Sequence, residues 1–110
     1  MPKIDGVDAA IRAIAEPRRR AILNLIRRRE LSAGQIASHF DVTRPAISQH
    51  IGVLKHAGLV TERRAGTRRL YRARPEGLQG LRDYLEGFWY ARLVLLKRAA
   101  EAEEGRRRKR

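Results

Sequence analysis

The chain has 110 residues, enough for one small domain with a modest core. Lysine and arginine number 25 against 12 aspartates and glutamates, a formal net charge of +13, which favours a polyanionic partner: nucleic acid or an anionic membrane surface. The absence of cysteine excludes disulfides and thiolate metal sites, and no apolar run approaches the ~20 residues of a membrane span or forms a signal peptide, so a cytoplasmic protein is expected.

A short apolar helix is predicted from Asp8 to Ala15, with Ile11 and Ile14 on its apolar side. It is too short to bury itself and must pack on another element. Glu16-Pro17 breaks it, and Pro17 suits the first turn of a second helix running to about Arg29. There Ile22, Leu23, Leu25 and Ile26 face inward, with Arg18, Arg19, Arg20, Arg27, Arg28 and Arg29 outside. Those arginines read as a solvated face; the sharper alternative is that Arg18 or Arg19 touches a phosphate.

The stretch from Ser32 to Gly58 holds two helix signals around a tight break. Ser32 and Gln35 form an S-x-x-Q capping box, flanked by Leu31 and Ile36 at the spacing of a hydrophobic staple. After the break at FDVT, Thr43 is an N-cap and Pro45 falls in the first turn. Gly58 is a left-handed cap candidate, with Leu54 and Leu59 at the spacing of the accompanying apolar contact. Ile47, Ile51 and Leu54 share one face and point inward. The opposite face carries Pro45, Ser48, Gln49, Gly52, Lys55 and His56, with Arg44 at its mouth and no acid. Such a slim polar face fits a DNA major groove, where Arg, Gln and Ser reach base edges. Two short helices joined this way make a helix-turn-helix.

Leu59–Arg64 and Arg68–Arg74 read as paired strands about an Ala65-Gly66-Thr67 loop. Arg63, Arg64, Arg68, Arg69 and Arg72 cluster there, as a wing lying on DNA requires. Pro75 opens a last helix to roughly Glu104. Its broad stripe of Leu78, Leu81, Leu85, Phe88, Trp89, Leu93, Leu96 and Ala100 exceeds what a small core covers, which predicts a subunit interface shared with Ile11 and Ile14. Residues 1–104 thus form the domain, and the basic stretch 105–110 is expected to be a disordered tail. The expected fold is mainly α with a small β-hairpin, in the order α-α-α-α-β-β-α.

No catalytic constellation is present: no Gly-rich phosphate loop, no H-E-x-x-H and no G-x-S-x-G. Ser48 and His50 stand two apart on a helix and point in different directions. Neither catalysis nor a cofactor is expected. A sequence-specific DNA-binding regulator is the leading reading; a nonspecific or architectural nucleic-acid binder is the alternative, and a protein-interaction module is the third.

The segments EPRRRAILNLI, ELSAGQIASHFDVTRPAISQHIGVLKHAGLV, RRAGTRRLYRARPEGL and YLEGFWYARLVLLK together resemble the ArsR family of winged helix-turn-helix transcription regulators. The resemblance runs from about Ala9 to Ala100 and is most specific in VTRPAISQHIGVLKHAGLV. It implies a homodimer through the first and last helices, bound to a pseudo-palindromic operator in double-stranded DNA, commonly as a repressor. Arg44, Pro45, Ser48 and Gln49 match the family's recognition-helix contacts, and the hairpin Arg64, Thr67, Arg68 and Arg69 matches its wing. Metal-sensing members carry a Cys-x-Cys pair where this chain has Ser32 and Gly34, and others use histidines on the last helix, which has none here. His39, His50 and His56 all lie in the DNA-reading segment, so no metal site is expected. Whether a small-molecule effector exists is left open by the sequence.

Overall fold

The computed structural model describes residues 6–108. Its elements are α1 (Gly6–Ile14), α2 (Pro17–Ile26), β1 (Leu31–Ser32), α3 (Ala33–Ala37), α4 (Arg44–His56), β2 (Val60–Ala65), β3 (Arg68–Ala73) and α5 (Pro75–Arg108). The strands form one antiparallel sheet in the order β1-β3-β2, with Leu31 opposite Tyr71 and Val60 opposite Ala73.

β1 is absent from the sequence expectation, because two residues carry no alternation to read. Its last residue does two things. Ser32 pairs with Leu70 in the sheet and also caps α3, where its hydroxyl accepts from the Gln35 amide at 3.2 Å and the Gln35 side chain accepts from the Ser32 amide at 2.9 Å. The capping box read from sequence is therefore also the joint between sheet and helix.

At the start of α2, the Glu16 carboxylate accepts from the Arg19 amide at 2.9 Å, an N-cap ahead of Pro17. The helix stops at Ile26, its last buried residue, rather than near Arg29. Three consecutive arginines offer nothing to bury, and the chain must bend there to reach β1. Arg19 and Arg20 are not simply solvated. The Arg19 guanidinium donates to the carbonyls of Ala13 and Arg12, and Arg20 donates to Ile14 at 2.7 Å. Both satisfy the last carbonyls of α1, which have no partner within that helix.

The core is built from Ile22 and Ile26 of α2, Ile36 of α3, Ile47, Ile51 and Leu54 of α4, and Leu59 and Val60 at the entry to β2. α1 adds Ala10 and Ala13, with Ile11 and Ile14 half-buried against it. Each fully buried large aliphatic contributes about 1.5–3 kcal/mol, so a small core depends on every one.

α5 contributes a single buried residue, Leu81. Its 34 residues span about 51 Å at the usual helical rise, and most of that length projects from the body. The molecule therefore extends 73 Å and has a radius of gyration of 19.9 Å, against about 13 Å for a compact chain of this size. The helix continues past Glu104 to Arg108, through residues whose charge suggested a disordered tail. Opposite charges one turn apart favour helix there: Arg106 pairs with Glu103 at 2.7 Å and Arg108 with Glu104 at 3.3 Å. The last two residues of that stretch lie outside the described span.

Where α5 starts, its backbone lies directly on the end of α4. A Cβ at Gly77 would collide with the Gly58 carbonyl. Arg74 secures the same point, its amide donating to Leu59 at 2.8 Å and its guanidinium to Gly58 at 3.2 Å. We predict that Gly77→Ala lowers the unfolding free energy by about 1–3 kcal/mol, the usual range for overpacking. Gly80→Ala, which meets open space, should be neutral or slightly stabilising. Urea unfolding of both variants checks this; equal stabilities would refute the contact.

Candidate nucleic-acid interface

α4 is fixed at both ends. The Thr43 hydroxyl accepts from the Ala46 amide at 3.3 Å. At the other end Gly58 adopts φ +77°, the Leu59 amide donates to Leu54 at 3.0 Å and the Gly58 amide to Lys55 at 3.0 Å. That is a Schellman cap, and its apolar contact is between the fully buried Leu54 and Leu59. Ile47, Ile51 and Leu54 are buried, which turns Arg44, Pro45, Ser48, Gln49, Gly52, Lys55 and His56 outward. Val53 joins them at 43 % exposure, an apolar residue that the sequence reading left off this face.

Two depressions flank α4. On the wing side, Arg44 and Ser48 meet Thr67, Arg68, Arg69 and Tyr71 and the start of α3 around a polar pocket of about 470 Å³. No acid lines it. The wing turns at Gly66, whose φ of +66° needs no Cβ penalty. The Arg44 guanidinium lies about 3.8 Å from where a Cβ on Gly34 would sit. On the far side, Gln49, Gly52, Val53 and His56 face Arg12 and Arg19 across a more apolar groove.

The sequence-derived contact residues therefore divide. Arg44, Ser48, Thr67, Arg68 and Arg69 converge on one pocket, while Gln49 and His56 border the other depression. Pro45 is exposed in the first turn of α4, and Arg64 is exposed on β2 opposite Arg69. Lys55 is engaged elsewhere: it donates to Glu62 of β2 at 3.2 Å and ties the end of α4 to the wing. Arg63 is likewise structural, making a two-point contact with Glu30 at 2.9 and 3.0 Å.

These pairs hold the wing electrostatically. The hydrogen bond from Arg63 lowers the Glu30 pKa, and that from Lys55 lowers the Glu62 pKa. Tyr71 is shifted up by burial and by its contact with Glu62. His50 is half-buried, with Nδ1 3.9 Å from Glu16, whereas His39 and His56 are exposed. Among the described residues no group of three or more His, Cys, Asp or Glu is placed to hold a metal, and no helix is long and apolar enough to cross a membrane.

Along α5, Leu85, Phe88, Trp89, Leu93 and Leu96 are between 39 % and 65 % exposed. Phe88 stacks edge-on against Tyr84 at 5.1 Å. Ile11 and Ile14 instead pack on the protein's own core.

A helix-turn-helix with a polar reading face and a basic β-wing defines a winged helix-turn-helix regulator of transcription. The family profile described as "Bacterial regulatory protein, arsR family" matches residues 16–62. The HTH-type transcriptional regulator Rv2034 of Mycobacterium tuberculosis is 45% identical over 93 residues, covering 79% of this chain and 87% of that protein. The transcriptional repressor SdpR of Bacillus subtilis is 42% identical over 55 residues, covering 50% of this chain and 61% of that one. Among solved structures, the homodimeric winged helix-turn-helix DNA-binding domain Mb0332 of Mycobacterium bovis superposes with a TM-score of 0.65 at 31% identity, over 81% of this chain and 82% of that one. The chain belongs to the ArsR family of bacterial transcription regulators.

The lowered carboxyl values predict how the wing responds to acid. A glutamate whose pKa is depressed by folding contributes stability that is complete above its unfolded value and is lost as pH falls through the folded one. Amide protection factors in β2 and β3, corrected for intrinsic exchange, should therefore be constant near neutrality and fall below about pH 4. Glu30→Gln should remove part of that acid dependence; an unchanged pH profile would show that the Arg63 contact does not hold the wing.

Proposed function

We propose that this protein is a repressor that binds a pseudo-palindromic operator as a homodimer in the cytoplasm. The observation that carries the reading is the convergence of Arg44 and Ser48 with Thr67, Arg68 and Arg69 around one acid-free pocket beside a helix face that also carries no acid. A helix in the major groove has a phosphate backbone on each side. The wing arginines are placed to neutralise one of them, while Arg44, Ser48 and Gln49 meet base edges. Arg44 and Gln49 carry the side chains best suited to guanine and adenine respectively. No step of this mechanism needs catalysis or a cofactor; occupancy of the operator excludes polymerase.

The dimer follows from α5. Leu85, Trp89, Leu93 and Leu96 make one stripe, and Tyr84, Phe88 and Leu95 a second beside it. Together they cover an arc wider than one packed helix fills, and an apolar arc of that width is stable when buried. Packing against both terminal helices of a second copy covers it, with Ile11 and Ile14 at its edge. The partnership would hold two α4 helices about 34 Å apart, one turn of B-form duplex. The homodimeric state of the M. bovis domain and the repressor activity named for SdpR support the same reading.

The decisive experiment is competition. A specific regulator holds its own upstream DNA against excess random duplex by about 10³-fold or more, whereas a nonspecific binder driven by charge shows no preference. With roughly 6–10 phosphate contacts, affinity should fall about 10³–10⁵-fold between 50 and 200 mM salt. Gln49→Ala should relax base preference at one position per half-site, and Arg68→Ala should weaken binding to every sequence alike. Uniform weakening by both would show that Gln49 is not a reader. Trp89→Ala should shift sedimentation toward monomer; an unchanged dimer would remove α5 from the interface.

A further inference from the structure

The groove on the far side of α4 is more apolar than the pocket on the wing side. It is about 730 Å³, within the roughly 300–1,000 Å³ of small-molecule sites. Its floor is Ala9 and Ala13 of α1 with Gly52 and Val53 of α4, and none of these side chains offers a hydrogen bond. Val53 stands 43 % exposed there, the one large aliphatic on the outward face of α4. At the rim are two guanidiniums, Arg12 and Arg19, together with His56 and Gln49, and no carboxylate. Arg19 is held in place because part of its guanidinium already donates to the carbonyls of Ala13 and Arg12. An apolar bed with cations at its rim, one of them held in place, complements a molecule with an apolar body and one negative head.

The groove is also separate from the surface assigned above to a second copy. α1 meets α5 through Ala10 and Ile14, and it lines this groove through Ala9, Arg12 and Ala13. The two apolar surfaces lie on different sides of α1.

We propose that the groove between α1 and α4 is a binding site for an amphipathic organic carboxylate, of flat or short apolar body, seated over Val53 and Gly52 with its head on Arg12 and Arg19. Because Gln49 and His56 form the same rim, an occupant covers part of the reading face and excludes DNA by direct competition. This consequence, though not the site itself, rests on the DNA-binding function proposed above. Induction would then need no movement of α4 relative to the wing, since ligand and duplex would simply contend for one helix face.

The probe is 1-naphthoate, with uncharged 1-naphthamide as control, titrated into the full chain and followed by methyl NMR. The expected result is saturable shifts of the Val53, Ala9 and Ala13 methyl signals by naphthoate, with naphthamide weaker by about fivefold or more. Arg12→Gln should remove that preference for the anion. Gly52→Leu fills the groove, and since a Cβ at Gly52 meets open space it should abolish the shifts while the core methyl signals of Ile22 and Ile36 stay in place. Duplex DNA should displace the probe. Equal binding of acid and amide, or shifts confined to Leu93 and Leu96 on α5, would overturn the site. Probe binding that persists unchanged on the DNA complex would overturn the competition. The naphthoate titration is read without DNA, so failure of the ligand site and failure of the DNA-binding reading remain distinguishable.

Discussion

The structure depends on the contact between two glycines. Gly58 takes a left-handed conformation to end α4, and Gly77 lies against its carbonyl as α5 begins. At this point the reading helix stops, the chain enters the wing, and the long helix departs. Only residues without a Cβ allow two backbones this close, and only a residue at ease with positive φ allows the reversal. The geometry that relates the outward face of α4 to the distal helix is set here, by the absence of side chains together with the hydrogen bonds of Arg74 to Gly58 and Leu59.

Around that joint the charges divide into two populations. One is internal bracing: Arg19 and Arg20 close the end of α1, Arg63 grips Glu30, Lys55 grips Glu62 and Arg74 grips Gly58. The other is outward and faces no carboxylate in its pocket: Arg44, Arg68 and Arg69 on the wing side of α4. The count of 25 lysines and arginines therefore overstates what is free to meet a polyanion. Exposed ion pairs contribute little to global stability, so the bracing acts chiefly on orientation, keeping the wing at a fixed distance from α4.

The two sides of α4 also differ in kind. The wing side is polar and basic, suited to phosphate, while the α1 side is apolar with a basic edge. Gly52 makes room for the groove on the α1 side.

The local grammar of the chain was legible in its residues. Capping at Ser32 and Thr43, the Gly58 stop, the buried face of Ile47, Ile51 and Leu54, and the hairpin at Gly66 each follow from interactions within a few residues, where backbone and side-chain preferences act directly. What the residues concealed depends on contacts between segments distant in the chain. β1 exists because Leu31 and Ser32 meet Tyr71 and Leu70. Arg63 and Lys55 are withdrawn from the basic surface by Glu30 and Glu62. The α1–α4 groove needs the register of two helices, and α5 outruns its expected end through charge pairs that composition alone read as disorder. Sequence determined which elements form and which faces they bury, because those are local energies; tertiary structure decided which arginines remain free, because a charge is free only when no distant partner reaches it.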